Sequence, residues 1–199
     1  MRGKRLLLWA VLALPAALMA YDLQSGRVLA MDLLHPSGEL SVRLMVAAML
    51  PGPLAEFFGL NRFFRAWLAI RRNLGVAAFL YGLLHLVIYV IDMRMLSAIV
   101  DELTLPAIWT GWLALALMSV PAAISFNAAM RALKRRWKQV QMFVYPAFAL
   151  ALVHWLLLDW AWQPAFIHLA PPIAAWLLRL IARIRKTPMD KTPMERSAA

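Results

Sequence analysis

Arg71-Arg72-Asn73-Leu74-Gly75-Val76-Ala77-Ala78-Phe79-Leu80-Tyr81-Gly82-Leu83-Leu84-His85-Leu86-Val87-Ile88-Tyr89-Val90-Ile91-Asp92 decides the fold class. Two arginines open the stretch and an aspartate closes it. Between them, residues 73–91 hold no Asp, Glu, Lys or Arg and a single histidine. At about 1.5 Å per residue, a helix of roughly 20 such residues matches the ~30 Å hydrocarbon core of a bilayer. The segment therefore reads as a transmembrane helix with one histidine inside it.

Five further runs share this character. They lie at about 6–21, 40–58, 106–124, 139–158 and 164–184. Hydrophobic residues make up 63% of the 199 and charged residues 16%, against about 45–50% apolar in a soluble domain. The first run follows Arg2, Lys4 and Arg5 as a signal peptide would. However, Tyr21-Asp22-Leu23 is a poor cleavage site, so the run reads as a retained helix. Pro51 and Pro53 kink or end the second run. Residues 61–72 mix Phe63, Phe64, Trp67 and Ile70 with Arg62, Arg65, Arg71 and Arg72, as a short interfacial segment does. The expectation is an all-α, six-helix membrane domain over 1–186, followed by a disordered cytoplasmic tail over 187–199.

Charge sets the orientation. Eighteen of the 21 Lys and Arg fall before the first run, in 62–72, in the 131–138 loop and in 179–196. Arg27, Arg43 and Arg94 lie on or near the other side, with Asp22, Asp32, Glu39, Asp92, Asp101, Glu102 and Asp159. The basic side is cytoplasmic by the positive-inside rule, and both chain ends lie on it. Trp155, Trp160 and Trp162 mark the far interface, and Trp67 and Trp137 the near one. The net charge of +11 is thus a membrane-face signature. It does not point to nucleic acid, for which no recognition motif is present.

The chain has no cysteine, which excludes disulfides, cysteine-ligated clusters and covalent haem attachment. Any metal chemistry falls to four histidines: His35, His85, His154 and His168. His85 is seven residues from Asp92, and His154 is five from Asp159. Both helices run outward from the basic side, so the two histidines lie within roughly 3 Å of one depth, in the far half. Ionisable groups at such depth are functional candidates. Gly75, Ala78 and Gly82 share a stripe with His85, and Val144, Ala147 and Ala151 share one with His154. Small residues beside a histidine leave room for a flat group such as a b-type haem held between two axial imidazoles. They equally suit close helix packing, with each histidine bonded to a neighbour. Spacing alone leaves both readings open. His35, in a loop before the second helix, and His168, near the start of the sixth, read as loop or interface residues. Arg43 suits a haem propionate or the interface. No phosphate loop, nucleophile elbow or zinc-protease motif occurs, and the methionines read as apolar filler.

Several stretches, in order, resemble the MsrQ (YedZ) family, the haem-binding membrane subunit of the periplasmic protein-methionine-sulfoxide reductase system, within the ferric-reductase-like transmembrane group. They are His35-Pro36-Ser37-Gly38, Pro53, Arg71-Arg72-Asn73-Leu74-Gly75, Leu84-His85-Leu86 with Tyr89, Ser125, Ala129-Met130, Leu133, Arg136-Trp137, Phe143-Val144-Tyr145 and His154-Trp155. The resemblance spans about residues 30–160. It implies haem b bound through His85 and His154, with Gly82 and Arg43 beside it, in a bacterial inner-membrane electron-transfer subunit. It further implies quinol or a cytoplasmic flavin as donor, a periplasmic molybdopterin-containing reductase as partner, and flavin mononucleotide as an associated cofactor. Catalysis belongs to the partner. Where the family carries a histidine before Phe-Val-Tyr, this chain has Gln141, which implies one haem and not two. Two alternatives stand beside this reading: a stand-alone ferric-reductase-like or b561-like cytochrome, and a haem-free membrane scaffold or transporter.

Overall fold

A computed structural model describes residues 2–158 and 162–186. Asp159 and Trp160, expected at the far interface, and the expected tail over 187–199 lie outside the described residues. The described chain is built of helices: α1 (Arg2–Gln24), α2 (Ala30–Met49), α3 (Pro51–Phe58), α4 (Arg62–Met93), α5 (Leu96–Glu102), α6 (Pro106–Ala123), α7 (Asn127–Leu133), α8 (Arg135–Gln141), α9 (Val144–Leu158) and α10 (Trp162–Lys186). Six spans are long and apolar enough to cross a membrane: Gly3–Gln24, Ala30–Phe58, Arg62–Met93, Pro106–Ala123, Arg135–Leu158 and Trp162–Arg185. Leu6, Ile167 and Ile184 are each more than 60% exposed, as side chains facing lipid are.

The second span departs from the expected boundary. The helix begins at Ala30 and not near residue 40, so His35-Pro36-Ser37-Gly38 is helical and not a loop. Asp32 accepts from the Leu29 amide (2.9 Å) and caps the start. Pro36 removes one amide from the ladder, and Ser37 Oγ donates to the Leu34 carbonyl (2.9 Å). Such hydroxyl compensation is how membrane helices tolerate proline.

At Pro51 the chain stays helical, with Leu50 at φ −66°, ψ −42°. Pro51 cannot bond the Ala47 carbonyl, so the Trp67 indole N–H donates to it instead (2.9 Å). Arg71 Nε donates to the neighbouring Ala48 carbonyl (2.8 Å). The basic end of α4 thus stitches the α2–α3 junction. Residues 61–72, expected as a separate interfacial segment, are the N-cap and first turns of α4: Asn61 accepts from the Phe64 amide (3.0 Å). At 32 residues α4 is about 48 Å long, so its basic end reaches beyond the hydrocarbon.

The helices form two closely packed pairs, α2 with α4 and α6 with α9. A core of Met45, Met49, Ala78, Ala147, Phe148 and Leu152 joins them on the basic side. α10 covers α2, α3 and α9. Its Arg179 and Arg183 hold Glu56 of α3 at 2.5 and 2.8 Å. α1 packs at the edge, held where Tyr81 donates to the Leu12 carbonyl (2.7 Å) and accepts from the Ala16 amide (3.1 Å). Those are the two groups an unbroken helix would bond to each other beside Pro15.

Candidate functional site

Toward the far side the two pairs part around a cavity of about 590 Å³, a size that ordinary ligand sites share. His85 and His154 project into it from α4 and α9, with ring centroids 6.1 Å apart and ring planes at 86°. The two residues that sequence depth set side by side thus lie close together in one cavity. Ala78 and Ala147, from the small-residue stripes, are fully buried below them, while Gly82 and Ala151 line the wall.

Each imidazole is held by the helix next to its own. His85 Nδ1 lies 2.9 Å from the Leu34 carbonyl, and His154 Nδ1 lies 2.5 Å from the Ala107 carbonyl. A carbonyl can only accept, so Nδ1 is the donor in both contacts, and in the neutral ring Nε2 is left with the lone pair. The residue one turn on from each carbonyl is glycine. A Cβ at Gly38 would stand 3.1 Å from His85 Nδ1, and one at Gly111 would stand 2.7 Å from His154 Nδ1 and Cε1. The residue before each glycine is a buried hydroxyl within reach of the same carbonyl: Ser37 of Leu34 (2.9 Å), and Thr110 of Ala107 (2.9 Å), shared with the Pro106 carbonyl at 2.7 Å. Leu34-His35-Pro36-Ser37-Gly38 and Ala107-Ile108-Trp109-Thr110-Gly111 are thus the same device. A helix turn offers a carbonyl, polarised by a Ser or Thr, beside a gap where a ring can lie. Gly82 differs: a Cβ there would press on Leu115 Cδ1 at 3.1 Å, while Ser41 Oγ, which donates to the Ala78 carbonyl at 2.8 Å, would stand at an ordinary 3.5 Å.

The other expected residues are placed differently. Arg43 is exposed and pairs with Glu39 Oε1 (2.6 Å); it does not line the cavity. Gly75 has nothing within 4 Å of a would-be Cβ. His35 and His168, expected in a loop or at the interface, both lie within helices and pack on either side of Trp155, at 5.4 and 5.2 Å. His35 and Trp155 line the cavity, with Glu39. Tyr89 donates to Glu102 (2.7 Å) at the mouth, ties α4 to α5, and also lines the cavity with its partner. Gln141 donates to the Pro121 carbonyl (3.2 Å) and so fastens α8 to the end of α6. Among the described residues, no group of three or more His, Asp or Glu could hold a bare ion.

Paired imidazoles lining one cavity inside a six-span bundle define a class of membrane protein, and sequence comparison names it. The family model described as ferric reductase like transmembrane component matches residues 37–152. The chain is also 34% identical over 152 residues to the protein-methionine-sulfoxide reductase heme-binding subunits MsrQ of Brucella ovis, Brucella canis and Brucella suis. Each alignment covers 75% of this chain and 67% of the relative. The chain belongs to the MsrQ (YedZ) family of that ferric-reductase-like group.

Proposed function

We propose that this chain is a b-type haem electron-transfer subunit of the bacterial inner membrane. In this reading His85 and His154 are the axial ligands of one haem. It receives electrons from quinol or a flavin donor and passes them to a periplasmic molybdopterin-containing reductase that repairs oxidised methionine. The observation that carries the reading is the facing pair itself. A metal about 2 Å from each nitrogen, with about 1 Å more to each ring centre, sets two imidazole centroids about 6 Å apart. Here they are 6.1 Å apart. Nδ1–H bonds to backbone carbonyls are also what metal-bound histidines ordinarily make, because they fix the tautomer and raise ligand basicity.

The residues present fit a haem. Two imidazoles, each anchored through Nδ1, stand with ring centroids 6.1 Å apart in a largely apolar cavity whose wall includes Gly82, Ala151 and Gly111. When bound there, the haem supplies a one-electron couple close to the far face. The protein's own part is to hold both rings against α2 and α6, to surround the group with apolar side chains, and to keep bulk water off it. Gln141 in its contact with α6, and Arg71 in its contact with Ala48, support a single site of this kind.

A reduced-minus-oxidised spectrum of membranes holding the full chain tests this. A b-type band at one haem per chain is expected, and His85→Ala and His154→Ala should each abolish it. A band that survives both substitutions, or a stoichiometry of two, overturns the pairing. Re-oxidation of that band on adding the molybdopterin reductase and an oxidised-methionine protein tests the direction of flow.

A further inference from the structure

Beside the histidine pair stands a second cluster that the haem reading does not use. Glu39 lines the cavity, and three basic side chains gather on its carboxylate. Arg43 binds Oε1 at 2.6 Å as an ordinary i,i+4 helix pair. The imidazoles stand further off, His168 Nε2 at 3.8 Å from Oε1 and His35 Nδ1 at 3.9 Å from Oε2. His168 Nδ1 lies 2.6 Å from the Pro164 carbonyl, so it carries the ring's proton. The ring's other nitrogen, Nε2, is the one turned toward a carboxylate oxygen. At 3.8 Å the two atoms are too far apart for a direct hydrogen bond and close enough to share a proton donor placed between them. A proton, or a hydroxyl that donates one, completes such an arrangement.

The position of the cluster indicates where that hydroxyl comes from. Trp155 contacts both the His35 and His168 rings and is the next residue after His154; Glu39, His35 and Trp155 line the histidine-pair cavity, and His168 stands behind them on Glu39. His168 is 11% exposed and His35 57%, so the cluster runs from the interior to the surface. All four histidines lie in the half away from the basic face, where the depth of His85 and His154 requires electrons to be delivered. A donor that arrives there from the bilayer with electrons and protons together needs both a metal and a base.

We infer that Glu39, His168 and His35 form the proton-accepting site for a lipid-soluble hydroquinone that reduces the haem, an inference that rests on the haem reading above. Both O–H bonds of the hydroquinone break. Its two electrons go singly, in two turnovers, to ferric haem iron, giving two ferrous equivalents. One proton passes to the Glu39–His168 pair and the other to His35, whose exposed side releases it. The oxidised quinone departs. Leu34, Trp155 and Leu158 supply the apolar wall for the ring.

Stopped-flow reduction of the full, haem-loaded chain by menadiol, a tail-less naphthohydroquinone, tests the site, with dithionite as a reductant that delivers no proton. Glu39→Gln should slow the menadiol reaction by about 100-fold, the scale of a lost general base. Glu39→Asp should recover part of the rate. Dithionite should still bleach the whole haem band, which certifies that the variant is folded and loaded. His168→Gln is the second variant, and both should weaken menadione quenching of tryptophan fluorescence in the haem-free chain. Parental menadiol rates in Glu39→Gln and His168→Gln overturn the site, as does a parent haem that dithionite reduces and menadiol does not. A parent with no b-type band overturns the haem reading, while menadione binding to the haem-free chain still reports on the cluster separately.

Discussion

Gly111→Ala puts one methyl group where the structure leaves no space, and its cost can be worked out. The new Cβ would stand 2.7 Å from Cε1 and Nδ1 of His154 and 3.1 Å from Cγ, whereas non-bonded atoms settle at about 3.5–4.0 Å. The ring must retreat by on the order of 1 Å. Its Nδ1 is held 2.5 Å from the Ala107 carbonyl, so that retreat takes it out of hydrogen-bond range. Overpacking costs about 1–3 kcal/mol and the lost bond about 1 kcal/mol. The expected fall in haem affinity is about 10–100-fold, the range for losing the outer partner of a metal-bound histidine. Haem-to-protein ratio by pyridine haemochromogen, and the rate of haem transfer to apomyoglobin, measure it. Gly38→Ala, with contacts of 3.1 and 3.2 Å to His85, should be milder. Gly75→Ala, with nothing within 4 Å, should leave haem retention unchanged while stiffening α4 by about 0.5–1 kcal/mol. Gly111→Ala with the parental transfer rate would refute the proposal that His154 serves as a ligand seated on that turn.

Tyr81→Phe removes the hydroxyl between Leu12 and Ala16, and with it the tie between α1 and α4. The expected loss is about 1 kcal/mol in denaturant unfolding, with faster amide exchange around Ala16 and an unchanged haem band. Gln141→His restores the family's residue but breaks the contact with the Pro121 carbonyl. The corresponding end of α4 offers Arg71 and Arg72, with Arg71 already bonded to Ala48. The variant should still carry one haem per chain by iron analysis, and a second equivalent would refute the single-site reading.

What the sequence made legible was whatever depends on residue identity at a fixed rise per residue. Six apolar runs gave the spans, and counting from Asp92 and Asp159 put His85 and His154 at one depth, as the 6.1 Å ring separation bears out. What it hid depends on backbone atoms and on neighbouring helices. The expected start of α2 near residue 40 left Pro36 and Gly38 outside the helix, whereas they lie inside it. In a bilayer the helix is the cheapest way to satisfy amides, and Ser37 makes good the turn that Pro36 weakens. The same misreading sent His35 to a loop and concealed that Gly38 cradles His85. Gly111 attracted no notice, since a glycine inside an apolar run reads as packing. Yet a signal was present: Ser-Gly and Thr-Gly each follow, by one helical turn, the carbonyl that receives a histidine. That pattern has meaning only once α2 is known to lie against α4 and α6 against α9. Arg43 was read through its charge alone, and charge does not say that Glu39, one turn earlier, takes it first. The paired depth of His85 and His154 was therefore readable from one strand of text, whereas the carbonyls and glycines that seat their rings were written on the partner helices.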